Sequence, residues 1–464
     1  MKSYIFPKKI LKNKDIVNKE NLLIKKELQI GVTEKVITTF MNNSFVVLDF
    51  GVEIRGAIRI LTFKGKDVKI RIRFGESLSE SCAELGGEKN ATNDHSLRDI
   101  TTSLQDYSDM TYGCTGFRFV RIDFYGDAEI KCIVAESEIL SKKTIYSYNG
   151  NDSKIKEIFN VAKRTIDLCS AGDYLWDGIK RDRLIWIGDI HPEMLALTTL
   201  YGRSKIIERS LDFVKNQTPL PNWMNWVPMY SMWWIIIVAD YLECTKAEGF
   251  AKKQIYYLKQ LVRLMLDYVT FDGETTYGYN FIDWQTQNEP DKLAGVRAIN
   301  IIAAKKAIFL LEYFNEKTDD AKELLTRLMK KKIEVESSKS VLGLKYFAVG
   351  LEECDKEKLV KNGVNGFSTF MSYYVLNAIA SFDKEKAVEM MKEYYGAMLN
   401  KGATTFWEDF NILWTENSCR IDELPKENQK DIHGDFGAHC YIGFRHSLCH
   451  GWSAGIIKFI KECC

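Results

Sequence analysis

Ile155-Lys156-Glu157-Ile158-Phe159-Asn160-Val161-Ala162-Lys163-Arg164-Thr165-Ile166 marks the point where the chain changes its hydrophobic period. Ile155, Ile158, Phe159, Ala162 and Ile166 recur at the spacing of one helix face, with polar and charged residues between most of them. Upstream the period is two. Val68, Ile70, Ile72 and Phe74 alternate with Lys69, Arg71 and Arg73, the pattern of a half-buried strand.

Outward from that point the two halves keep their characters. Residues 45–50, 56–61, 117–122 and 130–134 read as further strands, punctuated by Gly51, Gly56, Gly65, Gly75 and Gly126. The polar stretch from Ser77 to Ser108 reads as a long loop. Helical spacing recurs at 192–215, 231–246, 251–269, 293–314, 318–333, 366–381 and 384–399. This half has room for roughly twelve helices with their connections, and no short internal repeat indicates a solenoid. The expected division is an antiparallel β-sandwich over residues 1–148 and a helical domain over 149–464.

Composition narrows the function classes. The 464 residues are 46% hydrophobic and 27% charged, with a formal net charge of +1. No global field favours nucleic acid or a membrane surface. The start of the chain lacks the apolar core of a secretion signal, and Met232–Ala239 is far shorter than the ~20 residues a membrane span needs. Eleven scattered cysteines without metal-knuckle spacing fit reduced thiols in the cytoplasm.

Four inter-helix segments carry unusual residues. Trp176 to Asp189 puts three carboxylates, three cations and two indoles before Ile190. It reads either as a salt-bridged clamp between helices or as a site where carboxylates beside Arg keep defined protonation states. Phe281-Ile282-Asp283-Trp284 places an acid beside an indole, which alone is compatible with core packing. Thr404-Thr405-Phe406-Trp407-Glu408-Asp409 embeds an acidic pair among aromatics. Partial burial there suits a general acid or base, and a helix N-terminus would account for the same pair.

The tail holds His433, His439, His446 and His450, four of the six histidines. His446 and His450 have i, i+4 spacing, but Ser447 follows His446, so no HExxH motif is formed, and no metal or other cofactor is expected. Nucleophile elbows and phosphate-binding loops are absent. Carboxylates and aromatics in helix-connecting loops fit carbohydrate chemistry, in which two carboxylates flank the scissile bond.

These segments resemble motifs of glycoside hydrolase family 78, the α-L-rhamnosidases. Asp177-Gly178-Ile179-Lys180-Arg181-Asp182-Arg183-Leu184-Ile185-Trp186-Ile187-Gly188-Asp189 is similar to the family's D-[CG]-P-x-R-[DE]-(x)-R-L-x-W-x-G-D segment. Thr404 to Glu408 resembles its T-T-x-W-E motif. Ser447-Leu448-Cys449-His450-Gly451-Trp452 resembles its S-L-N-H-G-W, and Phe281 to Trp284 its F-x-D-W. Leu48-Asp49-Phe50-Gly51 and Arg73-Phe74-Gly75-Glu76-Ser77-Leu78 look like its preceding β-domain.

The resemblance implies a mainly α fold, an (α/α)6 barrel preceded by the β-sandwich, and an inverting glycosidase releasing terminal α-L-rhamnosyl residues. It implies Asp182 as acid and Glu408 as base. It implies that Asp177, Arg181, Trp186, Asp189, Asp283, Trp284, Trp407 and His450 bind the sugar, with the indoles walling the pocket. Asp182 stands where the family usually has Glu, and Cys449 where it has Asn. The family's usual C-terminal β-domain is not expected after Cys464, which could leave a surface for a second subunit. The partner implied is a carbohydrate, neither nucleic acid nor membrane. Three other readings stay open: a different sugar on the same barrel, a catalytically silent carbohydrate-binding protein, and an unrelated (α/α) toroid enzyme that binds a metal through the C-terminal histidines.

Overall fold

The structure, a computed structural model, describes residues 2–464. Its first part is antiparallel: β1 (Lys2–Ile5), β2 (Lys9–Val17), β3 (Thr38–Lys64), β4 (Lys69–Gly75), the short helix α1 (Leu78–Cys82), β5 (Asp99–Ser103), β6 (Ser108–Tyr125) and β7 (Ala128–Glu138). The strands form one sheet in the order β1-β7-β3-β6-β4-β5, with β2 on β3. The residues expected as two strands, 45–50 and 56–61, are one strand of 27 residues. It pairs with β2 along its first half and with β7 both at Thr38–Phe40 and along its second half, while β6 accompanies both halves.

An irregularity between Asp49 and Ile54, with Gly51 at φ 81°, bends β3 without ending it. One bent sheet thus stands where separate sheets were expected, and both halves share one core that includes Val46, Leu48, Ile58, Ile60, Ile72, Ile122 and Ile133. Arg73, read as a solvent-facing residue of β4, is buried, with Glu84 at 2.7 Å and Asp123 at 2.8 Å. The presumed loop 77–108 is less irregular than expected. It contains α1 and also β5, which pairs with β4.

The remainder is helical. The helices are α2 (Ser153–Cys169), α3 (Ile187–Tyr201), α4 (Lys205–Gln217), α5 (Pro228–Thr245), α6 (Glu248–Asp267), α7 (Lys292–Tyr313), α8 (Asp319–Leu328), α9 (Lys339–Val349), α10 (Glu353–Val360), α11 (Ser372–Ala380), α12 (Lys384–Asn400) and α13 (Ile456–Cys463). The stretch expected as a single helix over 192–215 is divided at Gly202, whose φ of 69° places it in the left-handed region. Helices α9, α10 and α13 fall outside the stretches singled out by spacing.

Two kinds of helix alternate along the chain. Helix α2 is amphipathic: Ile155, Ile158, Phe159, Ala162 and Ile166 are buried, and the Asp152 side chain accepts the N–H groups of Lys154 and Ile155. Each large apolar side chain so buried contributes about 1.5–3 kcal/mol. Every residue of α3, by contrast, is buried. Helix α5 is apolar around nearly its whole circumference, as suits an element enclosed by others. Helix α3 packs on α5, α5 on α7, α7 on α9, α9 on α11, α11 on α13, and α13 returns to α3. Each of these six is reached from the helix before it, so the 170–186, 218–227, 268–291, 329–338, 361–371 and 401–455 connections lead into their N-terminal ends. Among the described residues no helix is long and apolar enough to cross a membrane.

Candidate active site

The connections preceding α3, α5, α7 and α13 enclose a cleft of about 500 Å³. Its lining includes Asp177, Arg181, Asp182, Trp186, Asp189, Trp284, Glu408 and His450. Eight of the ten residues expected to act on a sugar are thus brought together from three distant segments. A β-bridge between Gly178 and His450 joins two of these segments directly.

Arg181 organises the floor. Its Nη2 donates to Glu408 Oε1 at 2.9 Å and Oε2 at 3.0 Å. Its Nη1 lies 2.9 Å from Asp182 Oδ1, and its Nε donates to the Arg445 carbonyl at 2.8 Å. Glu408 also accepts the Ser447 N–H at 2.9 Å, and its own N–H donates to the Ser447 carbonyl at 2.9 Å. The Trp452 indole N–H and the Thr369 hydroxyl both donate to the Glu408 carbonyl. Backbone and side chain of Glu408 are therefore held on several sides.

Burial dominates the electrostatics. It raises the Glu408 carboxyl, with Arg181 and the Ser447 N–H opposing it. Asp177 and Asp189 are pushed well above the ordinary carboxylate range by burial, and each feels the negative charge of neighbouring acids. Burial and the Arg181 charge hold His450 well below the usual imidazole range, so its ring is neutral. His450 Nε2 stands 3.5 Å from Glu408 Oε1 and 3.9 Å from both Asp177 Oδ2 and Asp189 Oδ2. The deep end therefore offers carboxyls, an imidazole and a guanidinium to a hydroxyl-rich ligand.

Asp182 sits higher, partly exposed, on backbone with φ 55°. Its Oδ1 is 2.6 Å from Nδ1 of His95, a residue of the loop between α1 and β5.

Asp283 and Trp407 do not line the cleft. Asp283 is buried in its own turn, accepting the Thr286 N–H at 2.8 Å and hydroxyl at 2.6 Å. Trp407 is fully buried, edge-on to Phe410. Both precede a residue that faces the cleft. The expectation that Trp407 walls the pocket is thereby corrected. Walls unnoticed in the sequence come from Trp226, Val227, Tyr230, Tyr279, Phe281 and Tyr441. Trp284 stacks on His439 and meets Phe281 edge-on.

His433 and His446 are structural. His433 Nδ1 is 2.8 Å from the Ser77 hydroxyl and its Nε2 2.8 Å from the His446 carbonyl. His446 Nε2 accepts the Asp409 N–H at 2.8 Å. Residues 446–450 are not helical, so the i, i+4 reading of His446 and His450 fails. Cys449 is packed with Leu168, Cys169 and Ile179, and burial pushes its thiol well up. Donor atoms of Glu76, Glu80 and His433 lie within 4.8 Å of one another. The positive charge beside them comes from Lys180, whose Nζ is 3.1 Å from Glu76 and 3.3 Å from Glu80. Lys180 also donates to the Phe444 and His446 carbonyls, and so fastens the sheet to the cleft loops. Gly116 of β6 permits that docking, because a Cβ there would lie 2.8 Å from the backbone nitrogen of Lys180.

No family model and no curated protein matches the sequence. Solved structures do. A rhamnosidase from Klebsiella oxytoca with rhamnose bound superposes at TM-score 0.74 and 20% identity, over 91% of this chain and 88% of that one. A family GH78 rhamnosidase of Bacillus sp. GL1 gives 0.71 and 18%, over 95% of this chain but 48% of its own. The α-L-rhamnosidase of Dictyoglumus thermophilum gives 0.69 and 15%, over 99% and 51%. The chain thus spans most of the first protein and about half of the other two. Its helical body and N-terminal antiparallel sheet have the fold of α-L-rhamnosidases of known structure.

Proposed function

We propose that the chain is an inverting glycoside hydrolase that releases terminal α-L-rhamnosyl residues from small glycosides or oligosaccharides inside the cell. The observation that carries this reading is the placement of Asp182 and Glu408 on one cleft, each in contact with a different nitrogen of Arg181. A guanidinium standing between the two carboxylates suits the gap of roughly 6.5–9.5 Å that an attacking water requires. Asp182 protonates the leaving oxygen. Glu408, ionised, takes a proton from the water as it attacks the opposite face of the ring. Asp177, Asp189 and His450 hold the hydroxyls.

Further features support the reading. Phe281, Val227 and Tyr230 give the cleft an apolar side. A 6-deoxy sugar has a methyl group to bury there, which hexoses with a hydroxymethyl group lack. The closed succession α3–α5–α7–α9–α11–α13 supports an (α/α)6 barrel. Eleven unpaired cysteines suit a reducing compartment.

The test is hydrolysis of p-nitrophenyl α-L-rhamnopyranoside against other nitrophenyl glycosides, for wild type, Asp182→Asn and Glu408→Gln. Rhamnoside turnover lost in both variants is expected. Turnover of another glycoside, lost in the same variants, would replace the sugar and keep the mechanism. One observation favours a second reading, a silent binding protein: Asp182 is engaged by both Arg181 and His95. Failure of the folded wild type to turn over any glycoside would establish it.

A further inference from the structure

We infer that His95 is a positioning residue for Asp182, so that the N-terminal sheet completes the active centre. The inference rests on the reading of Asp182 as proton donor. Asp182 carries one methylene fewer than a Glu would, so its carboxyl has less reach from the backbone. A misplacement of about 1 Å at a reacting group can cost on the order of 10²-fold in rate. Something must set this short side chain, and Arg181 alone is shared with Glu408.

His95 supplies the second hold. Its Nδ1 is 2.6 Å from Asp182 Oδ1, a close ion-pair contact. Its Nε2 is 3.0 Å from Asp94 Oδ1. Asp94 is in turn gripped by Arg445, whose Nε donates at 2.8 Å and whose Nη2 lies 2.7 Å away. Arg445 itself lines the cleft. The His95 carbonyl accepts from Arg183 at 3.4 Å, and Arg183 also donates to the Cys114 carbonyl on β6 at 3.1 Å. The loop is therefore tied to the helical half on both sides of the imidazole. An Arg445–Asp94–His95–Asp182 chain leads from one cleft wall, through the sheet's loop, back to the carboxyl.

The backbone is shaped for this contact. His95 at φ 60° and Asp182 at φ 55° both occupy the left-handed region, which non-glycine residues seldom adopt. Such conformations persist where surrounding contacts hold them.

The experiment compares substrates that differ in their need for an acid. Methyl α-L-rhamnopyranoside has a poor leaving group, and the 2,4-dinitrophenyl glycoside needs little protonation. For His95→Ala, kcat on the methyl glycoside should fall about 10²-fold. KM, and kcat on the dinitrophenyl glycoside, should change less than about threefold. His95→Asn, whose amide nitrogen falls near Nδ1, should recover much of the loss. In Asp182→Asn, adding His95→Ala should cost nothing more, because the two changes act on one contact.

Equal losses on both substrates, or losses that multiply with Asp182→Asn, would overturn the inference. So would an unchanged His95→Ala enzyme. A measurement that needs no turnover separates this from the fate of the functional reading. The imidazole ¹⁵N resonances of His95 should move at Nδ1 on Asp182→Ala. Movement in a protein that hydrolyses no glycoside would keep the contact and sink the acid role, and with it the inferred function of His95. No movement would remove the contact itself.

Discussion

Arg181 meets Glu408 with a single nitrogen shared between both carboxylate oxygens, at 2.9 and 3.0 Å, while its other terminal nitrogen faces Asp182. A lysine cannot reproduce this, because it offers one compact ammonium in place of separate nitrogens on a planar fork that meet Glu408, Asp182 and the Arg445 carbonyl from fixed directions. Arg181→Lys should lower kcat/KM for the p-nitrophenyl rhamnoside on the order of 10²-fold. Circular dichroism should show the fold retained. Near-normal activity would mean that the guanidinium only neutralises charge.

The pH profile should report Glu408. Burial raises this carboxyl above its ordinary value, with Arg181 pulling it back. A base must be ionised to take a proton, so activity falls as the pH drops through that raised value. The acidic limb of kcat/KM should therefore lie above the ordinary Glu value of about 4.3. In Arg181→Met the opposing charge is gone, and the limb should move further towards neutral pH. A limb unmoved by that change would place the titrating base elsewhere.

Glu193 should make the protein less stable as pH rises. Its carboxyl is buried on α3, Oε1 has no hydrogen-bond partner, and burial holds it well above the usual range. Its folded value exceeds its unfolded one. The extra proton therefore stabilises the folded chain at low pH, and this contribution is lost as pH rises through the folded value. Glu193→Gln mimics the protonated form. Its melting temperature should exceed that of wild type at pH 8 and approach it at pH 5. The same difference at both values would refute the linkage.

Lys180 should matter for stability more than its place in a loop suggests. Its ammonium is buried against Glu76 and Glu80, and burial still pushes Glu76 up to about 7. Lys180→Met leaves two buried acids without their cation, which should cost about 3–5 kcal/mol in urea unfolding. Replacing Glu76 by Gln in the same chain should recover part of that cost. A loss under about 1 kcal/mol would show that the acids simply stay protonated.

Much of this was legible in the sequence because periodicity is local. The change of period near residue 150 separates sheet from helices, and the chain from Asp177 to Asp189 keeps its cleft residues within one connection and the first turn of α3. Facing direction was less legible. Trp407 and Asp283 lie next to cleft residues, yet both are buried away from the cleft. Gly202 hides a helix break inside a continuous apolar pattern, because its φ of 69° is invisible to spacing. His95 has no signal at all: it is a lone histidine in a polar stretch, and its importance arises only when the sheet docks on the 177–186 connection.

The ring of enclosed helices has a cost during synthesis. Arg181 and Glu408 are 227 positions apart, so no partial chain contains the cleft. Until α13 returns to α3, helices such as α3 and α5 have no water-compatible side to show. A nascent or briefly opened molecule is thus a set of adhesive rods, prone to self-association before it can bind anything. Soluble yield, and its dependence on chaperones, should track how readily the ring closes, even for variants whose finished structures are equally stable.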